Sequence, residues 1–123
     1  MKRTLTQMGL VVLLAALLSA ADVTGTWKGA FDYNGTSVPV TFNLKNSGDA
    51  LTGTVDGLPT PNAEIKEGKL QGQDMSFWIT IEYQGQNIKL VYKGKLSGDE
   101  IKFTFGTEDG SWGTEVTAKR STS

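Results

Sequence analysis

Apolar and polar residues alternate through almost the whole chain after residue 22, and this pattern constrains the fold more than any other feature. The clearest run has an apolar residue at every second position: Met75, Phe77, Ile79, Ile81 and Tyr83. Successive side chains of a β-strand point to opposite faces, so a period of two predicts strands with one buried face. No segment after residue 22 has a convincing helical period. The chain is therefore predicted to be all-β.

Short turn sequences divide the alternating region into eight strands. Asn34-Gly35 is typical of a hairpin, and Ser47-Gly48-Asp49 is a tight glycine turn. The stretch 57–62, with two prolines, indicates a longer loop. The strand that follows, 63–70, is the least regular, and we expect a bulge near Gly68.

An internal repeat supports a series of consecutive hairpins. Residues 68–77 resemble residues 94–103, and residues 44–51 form a looser third copy. Eight antiparallel strands with one apolar face each can pack as a sandwich or curl into a closed barrel, and only closure removes the unpaired edges. Because a Greek-key sandwich needs long connections, these short turns favour the barrel. We predict an eight-stranded antiparallel up-and-down β-barrel.

The first 21 residues differ from the rest. Lys2 and Arg3 precede an unbroken apolar run, Gly9 to Leu18, and the small residues 19–21 follow. This order is typical of a signal peptide, and the run is shorter than the about 20 residues of a membrane span. We expect residues 1–21 to be a signal peptide and residues 22–123 a β-barrel domain. The protein would be periplasmic or secreted, with no stable membrane insertion after cleavage; the alternative is a retained N-terminal anchor.

The chain contains no cysteine and no histidine. A disulfide framework is therefore excluded, and the usual ligands of zinc and haem are missing, as is the usual histidine base. Removal of Lys2 and Arg3 takes away two positive charges and changes the formal net charge from −1 to −3. A mildly acidic chain without a basic cluster binds nucleic acid poorly. We expect no cofactor, no metal site and no nucleic-acid partner.

Carboxylates are the remaining candidates for acid–base chemistry. Asp32 and Glu82 fall on the outward-facing positions of their strands, where a charge is normally solvated, whereas a general acid needs a perturbed carboxyl. Glu108-Asp109 alone is more typical of a turn than of a calcium site, and the serines lack a base. We predict no catalytic residue and expect that the protein is not an enzyme. A carboxylate that proved to be buried would favour an isomerase or hydrolase instead.

The stretch Val23-Thr24-Gly25-Thr26-Trp27 resembles the first strand of the calycin superfamily, which includes lipocalins, fatty-acid-binding proteins and avidins. In that superfamily the tryptophan of Gly-x-Trp packs across the closed end of the barrel, against an arginine or lysine late in the chain. The resemblance implies that Trp27 and Arg120 form a barrel-closing cation–π pair. Residues 51–54 similarly resemble the start of strand three in avidins.

Biotin binding does not follow from this resemblance. The positions that contact biotin in avidins fall, by offset from the two motifs, on Gly29, Tyr33, Val55 and Gly57. Glycine and valine side chains cannot supply the hydrogen bonds that biotin requires.

In an up-and-down barrel, successive turns fall at alternate ends. If Trp27 marks the closed end, the glycine turns at 48, 72 and 98 lie at that same end. The inward residues near the opposite end, the mouth, are apolar or aromatic. We predict that they bind a small hydrophobic or aromatic ligand: Tyr33, Val38, Leu58, Ile81, Tyr83, Ile88, Phe105 and Trp112. The alternative is a barrel filled by its own side chains, with five of them in the lower half: Phe31, Phe42, Phe77, Tyr92 and Phe103.

Trp78 faces outward on its strand, with Val91 outward on the next one. The simpler interpretation is an isolated exposed apolar residue, and the alternative is a contact surface for a protein, a polysaccharide or a second copy of the chain. The sequence as a whole favours an exported, lipocalin-like binding protein. The second hypothesis is a structural or interaction module that uses the outer wall around Trp78.

Overall fold

The structure, a computed structural model, describes residues 22–121. The predicted signal peptide, residues 1–21, lies outside the described residues, as do residues 122 and 123. Within the described range no helix could cross a membrane. The regular elements there are nine β-strands: β1 (Gly25–Tyr33), β2 (Thr36–Ser47), β3 (Ala50–Asp56), β4 (Ala63–Glu64), β5 (Lys66–Gln71), β6 (Asp74–Tyr83), β7 (Gln86–Ser97), β8 (Glu100–Thr107) and β9 (Gly113–Arg120).

The strands pair in chain order, and the sheet closes on itself. β1 pairs with β2 on one side and with β9 on the other, and β2 also pairs with β3. β4 and β5 together form one barrel strand between β3 and β6, interrupted at Ile65. The predicted all-β fold, a closed eight-stranded antiparallel up-and-down barrel, is confirmed.

The interrupted strand contains the predicted bulge. The pairing register with β6 shifts between Lys66 and Lys69, and Glu67 has a φ of 49°, in the left-handed region. A bulge of this kind increases the local bend of a strand. The neighbouring Gly68 approaches Leu51 of β3 so closely that an added Cβ would overlap the Leu51 backbone. Glycine at this position therefore permits the β3–β5 contact.

The inward-facing side chains fill the half of the barrel away from the mouth. Alternate residues of β6, from Met75 to Ile81, are at most 8% exposed. Aromatic rings form the centre: Phe42 stacks on Phe103 with centroids 4.5 Å apart, and Tyr92 stacks on Phe105 at 4.5 Å. Burying each such ring contributes roughly 1.5–3 kcal/mol to folding.

Trp27 lies fully buried at the end opposite the mouth. Its Nε1 donates a hydrogen bond to the carbonyl oxygen of Val23 at 2.9 Å. The guanidinium carbon of Arg120 lies 4.3 Å from the Trp27 ring centroid, and the same guanidinium donates to the carbonyl oxygens of Thr24 (3.2 Å) and Asp22 (3.1 Å). These contacts fasten the segment before β1 to the last strand.

Candidate functional site

The mouth half of the barrel contains a cavity of about 610 Å³. Small-molecule sites commonly have volumes of roughly 300–1,000 Å³, so this cavity has a suitable size. The structure brings all eight residues predicted to bind a ligand to its wall: Tyr33, Val38, Leu58, Ile81, Tyr83, Ile88, Phe105 and Trp112. That they bind a ligand stays a prediction.

The cavity wall also contains residues that the sequence did not assign to it: Phe31, Gly57, Pro59, Leu90 and Thr107. Phe31 was assigned to the filled half, but its ring stands edge-on to Phe105 at 5.1 Å, at the boundary between the packed core and the cavity. Leu90 has the same inward parity as Ile88, so the alternation of apolar residues already indicated that Leu90 faces the barrel interior. Gly57 and Pro59 belong to a loop, where alternation gives no direction.

Trp112 is fixed by the turn between β8 and β9 and precedes β9 instead of lying within it. Its backbone N donates to Oγ1 of Thr107 at 3.1 Å, and the backbone N of Thr107 donates to its carbonyl oxygen at 2.9 Å. Oδ1 of Asp109 accepts hydrogen bonds from the backbone N of Ser111 (3.0 Å) and from Oγ1 of Thr107 (2.9 Å). These hydrogen bonds lower the pKa of Asp109. The turn holds the indole edge-on to Phe105, with centroids 5.7 Å apart.

The loop 57–62 forms another part of the mouth. The backbone N of Glu82, near the end of β6, donates to Oγ1 of Thr60 in this loop at 2.7 Å. Leu58 is half-buried against the core. Both of these mouth segments are thus tied by hydrogen bonds to the barrel wall, and such a mouth is largely pre-formed for a ligand.

Two phenols supply polar groups at the opening. The hydroxyl oxygens of Tyr33 and Tyr83 lie 3.2 Å apart, within hydrogen-bond distance. Both side chains are partly exposed, at 36% and 37%, and the hydrogen bond between the two hydroxyls raises the pKa of Tyr83. The cavity therefore combines an apolar interior with a hydroxyl pair at its outer end.

Asp32 and Glu82 are exposed, in agreement with their outward parity. Among residues 22–121, no three acidic side chains come together in a group that could hold a metal ion. The Asp109 carboxylate, considered for calcium, serves instead as an acceptor within its own turn. The absence of catalysis stays a prediction.

Trp78 does face outward and lies directly across from Val91 on β7, but it is half-buried. Nζ of Lys89 lies 4.4 Å from the centroid of its ring. The ammonium group also pairs with Glu108, at 3.2 Å from Oε2. Because a lysine covers this indole, the apolar patch is smaller than the sequence pattern suggests. Its role as a contact surface stays a prediction.

No protein-family profile matches the sequence, and no curated protein matches it. Among solved structures, a "secretary abundant heat soluble (SAHS) protein" from Ramazzottius varieornatus is similar to this chain. The two share 12% sequence identity, and the similarity covers 85% of this chain and 98% of that one with a TM-score of 0.43. Similarity at this level supports no conclusion about function, and the barrel assignment rests on the strand pairing itself.

Proposed function

We propose that the protein is an exported, lipocalin-like binding protein that holds a small hydrophobic or aromatic molecule in the mouth of the barrel, without catalysis. One observation carries the proposal: the apolar cavity of about 610 Å³, which opens at one end of a barrel whose other half is filled. The contact between Trp27 and Arg120 is consistent with the calycin resemblance of the sequence. Export rests on the composition of the first 21 residues.

The apolar wall sets the affinity to be expected. A ligand that buries about 300 Å² of apolar surface gains about 7.5 kcal/mol at 25 cal/mol per Å². The loss of translational and rotational freedom reduces this gain. Dissociation constants in the micromolar range or weaker are therefore expected, and probes should be titrated across that range.

The proposal can be tested with the neutral fluorescent probe N-phenyl-1-naphthylamine and with native mass spectrometry of the purified protein. We expect probe binding that Trp112→Ala weakens at least about fivefold, since an aromatic contact and apolar area are lost. The matched control is Trp78→Ala, which removes an indole from the outer wall and should leave probe binding unchanged. If no ligand is retained and no probe is bound or displaced, the barrel does not act through this cavity.

A further inference from the structure

We infer that the barrel takes uncharged aromatic ligands and excludes organic anions of the same shape, so that fatty acids and aryl sulfonates are not its natural ligands. This inference rests on the proposed function, because it specifies the class of ligand for the same cavity. Two independent features of the described residues support it: the cavity wall and the ring of charges around the mouth.

The cavity wall offers nothing that could neutralise an anion. Its polar members are the neutral side chains of Tyr33, Tyr83, Thr107 and Trp112, and no lysine or arginine lines it. None of the buried residues of the described range carries a charged side chain. Burying an ionised group in such surroundings is costly unless it is paired and hydrogen-bonded.

The charged side chains of the mouth segments themselves are all carboxylates. We define the rim as the mouth turns together with the last two residues of the strands that lead into them, namely residues 32–35, 55–62, 82–85 and 106–112. The rim contains no lysine and no arginine, and five carboxylates: Asp32, Asp56, Glu82, Glu108 and Asp109. An anionic head that stays at the opening would therefore meet charges of its own sign.

Lys66, Lys89 and Arg120 are each already engaged in a contact of their own. Lys66 pairs with Glu64 on the outer wall at 2.9 Å, and Lys89 pairs with the rim carboxylate of Glu108 at 3.2 Å, so one of the five rim carboxylates is paired with a cation. Arg120 is at the opposite end, against Trp27. An anion is thus disfavoured inside the cavity by desolvation and at the rim by repulsion, whereas a neutral ligand avoids both penalties.

A matched pair of probes tests this inference. N-phenyl-1-naphthylamine and 8-anilinonaphthalene-1-sulfonate have the same ring skeleton and differ by the sulfonate. In fluorescence titrations of the purified protein we expect the neutral probe to bind at least about tenfold tighter at low salt. Raising NaCl from about 10 mM to about 500 mM should strengthen binding of the sulfonate and leave the neutral probe nearly unchanged, because salt screens the rim carboxylates.

Two arginine substitutions distinguish the effect of a cation at the cavity from the effect of a change in the net charge of the protein. Leu58→Arg places a cation at the cavity wall and should reduce the preference for the neutral probe at least about threefold. Ser97→Arg adds the same charge at an exposed position of the closed end and should leave the preference unchanged. Val38→Trp fills part of the cavity, so probe binding that this substitution abolishes takes place in the cavity. Thermal unfolding checks that each variant is folded.

The outcomes distinguish the inference from the proposed function. If the sulfonate binds as tightly as the neutral probe, and Val38→Trp abolishes both, the inference is wrong while the proposed function stands. If neither probe binds, the proposed function fails and the inference fails with it. Preferential binding of the neutral probe, reduced by Leu58→Arg and not by Ser97→Arg, supports both.

Discussion

The hydroxyl oxygens of Tyr33 and Tyr83 lie 3.2 Å apart although 50 positions separate the two residues in the chain. Tyr33 ends β1 and Tyr83 ends β6, and these strands stand on opposite sides of the ring of pairings. The contact therefore spans the mouth. Since one hydroxyl donates to the other, a single hydroxyl proton remains for a neutral acceptor on a ligand.

Combining Tyr33→Phe with Tyr83→Phe should remove the last hydroxyl proton of this pair and weaken the binding only of ligands that accept a hydrogen bond, whereas Tyr83→Phe alone leaves the Tyr33 hydroxyl as a donor. A neutral hydrogen bond contributes about 1 kcal/mol, so we expect about fivefold weaker binding of 6-propionyl-2-(dimethylamino)naphthalene, whose carbonyl is an acceptor. N-phenyl-1-naphthylamine, which lacks that acceptor, should be nearly unaffected. Stability should change by less than about 0.5 kcal/mol because the hydroxyls are partly exposed. Equal losses for both probes would mean that the phenols act only through packing.

Arg120→Met should destabilise the barrel by about 2 kcal/mol, because it keeps the apolar length of the side chain while removing a cation–π contact and two hydrogen bonds to backbone oxygens. The matched control is Lys119→Met. Lys119 is 73% exposed and 3.9 Å from Glu100, and such surface pairs contribute little. Urea unfolding of both variants measures the difference. Equal effects of the two substitutions would contradict the role of Arg120 in holding the closed end.

Tyr92→Phe should leave stability unchanged or raise it by about 1 kcal/mol. The Tyr92 hydroxyl is buried among aromatic rings and has no hydrogen-bond partner within the described part of the chain. Its removal eliminates a desolvated polar group. A loss of more than about 1 kcal/mol in urea unfolding at neutral pH would contradict this description of the core.

The same residue predicts a pH dependence. Burial raises the pKa of Tyr92 above its ordinary value of 10.0, so the folded state retains a proton that the unfolded state loses. Below about pH 10 the free energy of unfolding does not depend on the titration of Tyr92. Above about pH 10 the free energy of unfolding falls by up to about 1.4 kcal/mol per pH unit. Urea unfolding at about pH 8 and at about pH 11 measures this loss. Between these two pH values the free energy of unfolding should fall more for the wild type than for Tyr92→Phe. Identical losses would show that Tyr92 ionises freely in the folded state.

Gly53→Ala should cost more than about 3 kcal/mol and shift the unfolding transition strongly. Gly53 has a φ of 140°, and an added Cβ would overlap the backbone of Asn43 on β2. Gly113 is the matched control in β9: its nearest neighbour to an added Cβ is the carbonyl oxygen of Phe105 at 3.4 Å. Gly113→Ala should change stability by less than about 0.5 kcal/mol. Similar losses for the two variants would contradict the close approach of β2 and β3.

The alternation of apolar residues predicted which side chains face inward, because it depends only on the period of a strand. Counting the turns predicted the end of the barrel near which each residue lies, because it depends only on the order of the hairpins. The wall of the cavity was therefore largely predictable. Contacts across the barrel, such as that between Tyr33 and Tyr83, depend on its diameter and strand stagger, which a periodicity does not contain. The placement of Lys89 over Trp78 depends on a flexible side chain and left no signal in the sequence.

The closed end is also where the described chain begins and stops. The backbone N of Ser121 donates to the carbonyl oxygen of Thr26 at 2.8 Å, and the Arg120 guanidinium reaches Asp22. A carrier, bead or purification handle joined directly before residue 22 or directly after residue 121 would therefore sit beneath the barrel. Immobilised in this way, the protein would present its opening to the surrounding solution, an orientation suited to capturing dissolved compounds on a sensor chip.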